Sequence, residues 1–148
     1  MLIRRYLLSL AIVGLFSTMS VAAGMPEQRT YRSTPWMTGG IGADEANAMR
    51  AAASDYSLEM TFAAQTGQFV SGVDVAVKDR VGEVVLQTND AAPILLADLP
   101  AGRYAVEATW EGQTITRNVA VAGDGTSKLV FQWQVPDLES ELQRTSSG

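Results

Sequence analysis

The sequence predicts an all-β fold: a seven-stranded antiparallel Greek-key β-sandwich preceded by one short helix, over residues 39–134. Three observations predict it. From Tyr56 onward, apolar residues alternate with polar ones in short runs, the period of a half-buried strand. Clusters of Gly, Asp, Asn and Pro separate those runs at turn spacing. No helical period intervenes between the runs, which removes the strand–helix alternation of a parallel sheet.

Residues 1–23 have the form of a secretory signal peptide. Arg4 and Arg5 precede an apolar run from Leu7 to Phe16, and Ser20-Val21-Ala22-Ala23 supplies the small residues suited to cleavage. The run is short for a membrane span, so export to the periplasm as a protein without a membrane span is expected. Residues 24–38 contain Pro26 and Pro35 and no apolar period, and are expected to form a flexible N-terminal arm.

Gly39-Gly40-Ile41-Gly42 opens the helix. Asp44 and Glu45 fall in its first turn, where the helix dipole favours carboxylates. Ala46, Met49, Ala53 and Tyr56 share one face at helical spacing. The Gly-rich start lacks the Gly-Lys-Ser/Thr ending of a phosphate loop, and Asp44 and Glu45 would repel a phosphate.

Leu58, Met60 and Phe62 mark the first strand, and Val73, Val75 and Val77 the second. The third covers Glu83 to Thr88, with Val84 and Leu86 inward. Asn89 to Pro93 breaks the run before a short fourth strand, Ile94 to Ala97. Leu99-Pro100-Ala101-Gly102 reads as a turn, and Tyr104 enters the fifth strand directly behind it. A Tyr so placed either buries its ring and returns its hydroxyl to upstream backbone, as in a tyrosine corner, or is an ordinary core Tyr at a strand start. Glu111-Gly112 turns into the sixth strand, Gln113 to Val121, and Leu129, Phe131 and Trp133 mark the seventh. Residues 135–148 are expected to be a flexible tail, with one helical turn at Leu138 to Gln143.

The chain contains 0 Cys and 0 His. Disulfides, thiolate nucleophiles, Cys/His zinc sites and His-dependent triads are therefore excluded. Neither a catalytic residue nor a cofactor or metal ligand is assigned. The net charge of −5 and the scattered Lys and Arg argue against nucleic acid. Asp74, Asp79 and Glu83 lack the Asp-x-Asp-x-Asp-Gly spacing of a calcium loop and read as solvated turn residues. Trp110 and Trp133 would suit a carbohydrate platform if exposed, but they alternate in phase with apolar neighbours and read as core.

The run Leu95 to Tyr104, the hairpin Trp110-Glu111-Gly112 and the closing Val130-Phe131-Gln132-Trp133 resemble small secreted Gram-negative proteins with a carboxypeptidase regulatory-like domain. The acidic helix behind Gly39-Gly40-Ile41-Gly42 resembles them too. The resemblance covers roughly Gly39 to Trp133. It implies the prealbumin-like, or transthyretin-like, seven-stranded sandwich, and it carries no catalytic residues. Transthyretin-like hydroxyisourate hydrolases use histidines, which are absent here. Metallocarboxypeptidases hold their zinc in a separate domain. Pilin-like sandwiches can carry a Lys–Asn isopeptide bond; Lys78 and Asn118 are the nearest pair, and a solvated Lys78 is the favoured reading.

The expected function is that of a non-enzymatic periplasmic module with a protein-binding or envelope-structural role. The alternative is a carbohydrate- or small-ligand-binding module. An enzyme using carboxylates alone is a third reading. Candidate partner contacts are Tyr31, Trp36 and Met37 in the arm, and Thr109, Thr114 and Thr116 on one exposed strand face; the alternative for the arm is that its aromatics fold back and seal a sheet edge of the same molecule. The expected partner is another envelope or periplasmic protein.

Overall fold

The alternation of β-branched and aromatic residues with polar ones builds two sheets, each contributing one apolar face to a shared core. The computed structural model describes residues 24–135 and 143–146. The signal peptide expected at 1–23 lies outside the described residues, as does most of the turn expected at Leu138 to Gln143; residues 143–146 are helical. No helix among the described residues is long and apolar enough to cross a membrane.

The elements are β1 (Arg29–Tyr31), β2 (Thr34–Gly39), α1 (Ala43–Ala52), a 3-10 turn (Ala53–Asp55), β3 (Leu58–Ala64), β4 (Val73–Lys78), β5 (Val84–Ala91), β6 (Ile94–Ala97), β7 (Gly102–Trp110), β8 (Gln113–Val121) and β9 (Ser127–Trp133). One sheet has the order β1-β2-β6-β3-β9 and the other β5-β4-β7-β8. The sandwich core lies between them, with Leu58, Met60, Phe62, Val75, Val77, Leu86, Leu95, Val106, Phe131 and Trp133 all at 1% exposure or less.

A second cluster lies on the outer face of the five-stranded sheet. Met37, Ile94 and Leu96 meet Ala46, Met49, Ala53 and Tyr56 from α1 and the turn behind it. The helical face read from the sequence is the face that is buried. β6 is consequently buried on both sides, which explains its uninterrupted apolar run Ile94-Leu95-Leu96-Ala97. Glu45 reaches back to the chain before the helix: its Oε1 accepts from the Gly40 N–H at 2.8 Å and the Ile41 N–H at 3.4 Å. Gly40 has φ of 104° and packs on Ile94, a backbone conformation that a side chain would strain.

Four differences from the sequence reading have physical causes. The arm expected at 24–38 is built into the sandwich: β2 pairs antiparallel with β6 from Trp36↔Ala97 to Gly39↔Ile94, and β1 pairs with β2. The free edge of β6 and its second apolar face supply partners that periodicity does not reveal. The strand count among the described residues is therefore nine rather than seven. One pairing is parallel, β3 with β9; it is joined by chain that passes through the other sheet, the long connection a parallel pair requires. β5 continues to Ala91 through a register shift. A second shift, between Val77↔Leu86 and Lys78↔Val84, leaves Val85 as the extra residue, and Val85 packs on the core in place of Val84.

The corner has the expected form. The Tyr104 hydroxyl donates to the Pro100 carbonyl at 2.7 Å, and the ring is 8% exposed. Tyr104→Phe is expected to cost about 0.5–1.5 kcal/mol, and Tyr104→Ala about 3–5 kcal/mol. Denaturant midpoints read both. A Phe variant with an unchanged midpoint would remove the hydroxyl from the account and leave the ring's role intact.

Candidate functional site

The interior of the sandwich is filled, so recognition falls to connections held by the sheets. Four of them meet at the Tyr104 end. The β1–β2 turn brings Ser33. The link from α1 to β3 brings Asp55, Tyr56 and Ser57. The β6–β7 corner brings Asp98 to Ala101, and the β8–β9 loop brings Gly123 and Gly125. Together they line an open cleft of about 600 Å³. An extension of about 340 Å³ reaches the N-terminal segment along Met25, Gln28 and Met37, and shares Pro35, Asp55, Tyr56 and Asp98 with the main cleft.

The walls are tied together by hydrogen bonds between distant parts of the chain. The Ser57 hydroxyl accepts from the Leu99 N–H at 2.7 Å and donates to the Leu99 carbonyl at 3.0 Å. Thr126 Oγ1 lies 3.0 Å from the Ala53 carbonyl and 2.7 Å from the Tyr56 carbonyl. The Asp98 N–H donates to the Pro35 carbonyl, and the Ser127 N–H to the Ser57 carbonyl, both at 2.9 Å. A cleft so fixed needs little ordering to receive a ligand.

Its charge is of one sign. Asp55 and Asp98 are exposed and have no ion-pair partner among the described residues, and neither Lys nor Arg lines the cleft or its extension. Burial pushes the Tyr56 phenol above its ordinary 10.0, with Asp55 and then Asp98 pushing the same way. Burial raises the Tyr104 phenol as well, with a smaller push from Asp79.

Both tyrosines hold their proton more tightly folded than unfolded. The stability they contribute is present below pH 10.0 and is lost as pH rises through their raised values. Denaturant midpoints stepped upward past pH 10.0 are therefore expected to fall, and to fall less in a Tyr56→Phe/Tyr104→Phe double variant. Equal slopes for the two proteins would contradict the assignment.

The candidate contacts read from the sequence divide into two groups. Trp36 and Met37 are buried at 6% and 5% exposure, Trp36 in the sandwich core and Met37 against α1. Tyr31 is half-buried and packs on the core edge. These three are not a free docking arm; of them, only Met37 reaches the cleft extension. Thr109, Thr114 and Thr116 do share the outer face of the four-stranded sheet, where Thr109 pairs with Thr114 and Glu107 with Thr116. The Thr109 and Thr114 hydroxyls bond each other at 2.7 Å.

The remaining constellations are structural. Asp79 Oδ1 accepts from the Val81 and Glu83 N–H groups at 3.0 and 2.9 Å, and Glu83 pairs with Arg32 at 3.0 Å. Lys78 Nζ lies 3.1 Å from Glu107 Oε1, so its ammonium is engaged in an ion pair. Trp133 is buried, and Trp110 is half-buried with its ring 6.1 Å from that of Trp133. The indole faces a sugar platform would use are taken up by packing. Sequence reading missed that Asp55, Tyr56 and Asp98 line one cleft, because the α1–β3 link and the β6–β7 corner meet only in the folded sheet.

No protein-family model matches the chain, and a comparison with curated proteins also finds no match. Among solved structures, the chain is similar to BcpA, the major pilin subunit of Bacillus cereus. A variant form of that pilin aligns with 18% identity and a TM-score of 0.39 over 51% of this chain. A second BcpA structure gives 17% identity and a TM-score of 0.37 over the same share. In both cases the chain spans 28% of the pilin's length.

Proposed function

We propose that this protein is a non-enzymatic β-sandwich module of the bacterial envelope that binds another protein through the cleft at its Tyr104 end. The observation that carries the reading is the convergence of four connections on one open, hydrogen-bond-braced cleft with two unpaired carboxylates. The positive, apolar and small-residue order of residues 1–23 supports export to the periplasm. The motif residues from Leu95 to Tyr104 and from Val130 to Trp133 support membership of the carboxypeptidase regulatory-like group. A chain with neither His nor Cys has few routes to acid–base or nucleophilic chemistry, which favours binding over catalysis.

Affinity capture from a periplasmic extract tests this reading, run in parallel with the wild type and an Asp55→Asn/Asp98→Asn variant. The expected result is a partner held by the wild type and lost by the variant, at equal melting temperature. The same partners on both proteins would overturn it.

A further inference from the structure

We propose that the cleft takes a basic side chain, a guanidinium or ammonium group carried on an extended segment of the partner protein. The proposal rests on the binding reading above and names its ligand. Asp55 and Asp98 offer acceptors only, and a guanidinium or ammonium offers donors only. The lining holds no Lys or Arg that would neutralise those carboxylates internally.

Tyr56 is the independent observation. It is 8% exposed, yet no hydrogen bond ends on its hydroxyl among the described residues. Among the described residues no buried side-chain oxygen or nitrogen lacks a partner, so that hydroxyl reaches the cleft surface rather than being sealed inside. A side chain otherwise enclosed by protein thus presents one unspent polar atom between two carboxylate-bearing connections. An ordinary core tyrosine would bond its hydroxyl to nearby backbone, as Tyr104 does.

The shape fits the same ligand. The extension past Tyr56 is walled by Met25, Met37 and Ala52, which suits the methylene stem of a Lys or Arg whose charged head stays between the carboxylates. An anion is repelled by both Asp55 and Asp98. The net charge of −5 steers a basic segment toward the protein and an acidic one away.

The test is a titration followed by amide chemical shifts. The probes are an end-blocked arginine peptide flanked by glycines, its lysine and glutamate counterparts, spermidine, and a neutral disaccharide. The expected result is saturable binding of the arginine or lysine peptide, with shifts confined to the cleft and its extension, at residues 25, 28, 33, 37, 52, 54–57, 98–101 and 122–125. Affinity should drop about tenfold or more in Asp55→Asn/Asp98→Asn, the loss of a charge-assisted contact. It should also weaken with added salt and fall measurably in Tyr56→Phe, a variant that keeps the ring.

Equal binding of the glutamate peptide, unchanged affinity in the double variant, or shifts on the Thr109–Thr114 face would overturn the proposal. So would the disaccharide as sole ligand. Spermidine binding without peptide binding would overturn the protein source of the cation. If the capture experiment still shows a cleft-dependent partner while no basic peptide binds, the module reading stands and this ligand assignment falls.

Discussion

Trp133→Ala is expected to destabilise the protein by about 3–5 kcal/mol, the range for emptying the site of a fully buried aromatic. Trp133 is 1% exposed and lies at the centre of the aromatic cluster. Its ring centroid is 6.2 Å from Phe62 and 6.1 Å from both Phe131 and Trp110. It also ties the two sheets at their edges, because Nε1 donates to the Gln113 carbonyl at 2.9 Å across from β9 to β8. Trp133→Phe separates the two roles. It keeps an aromatic ring and loses the donor, with an expected cost of about 1 kcal/mol for the bond plus a smaller packing term. Chemical denaturation followed by circular dichroism reads both variants. An Ala variant within about 0.5 kcal/mol of wild type, the range of an ordinary surface change, would place Trp133 outside the cooperative core.

Deleting residues 26–38 is expected to prevent stable folding. The deletion removes Trp36 and Met37, whose individual truncations would each cost about 2–5 kcal/mol. It also removes the β2–β6 pairing and the Thr38 hydroxyl, which accepts from the Ala92 N–H and donates to the Ile94 carbonyl, both at 2.9 Å. Those losses together rival the whole stability of a typical domain, about 5–15 kcal/mol. Any chain that stays compact would expose the edge of β6, a four-residue run buried on both faces in the intact protein. Such an edge invites self-association. Sedimentation and thermal melts of the truncated protein check this; a monomer with wild-type melting temperature would contradict it.

The sequence carried most of the scaffold and little of the site. β4, β6 and β8 were legible to the residue because turn residues bracket clean alternation or a short apolar run. The buried face of α1 was legible because Ala46, Met49, Ala53 and Tyr56 keep helical spacing into the 3-10 turn. β1 and β2 were not, because Pro35 and the Gly39-Gly40 pair look like loop chemistry. Pro35 is accommodated near the start of β2, where its carbonyl accepts from Asp98. The parallel β3–β9 pairing was hidden for a different reason: a period of two reports which face a residue takes, not which strand lies beside it or in which direction. The cleft shares that limitation. Asp55 and Asp98 are 43 positions apart in the sequence and meet only because β2, β6 and β3 lie side by side.

The central structural claim is that residues 34–39 are a strand of the sandwich, paired with β6. Native-state amide hydrogen exchange tests it most directly. Protection of the β2 amides that bond β6, at a level comparable with β3 and β6 themselves, is the expected result. Exchange of residues 34–39 at the rate of an unstructured peptide, with β3 and β6 still protected, would contradict it.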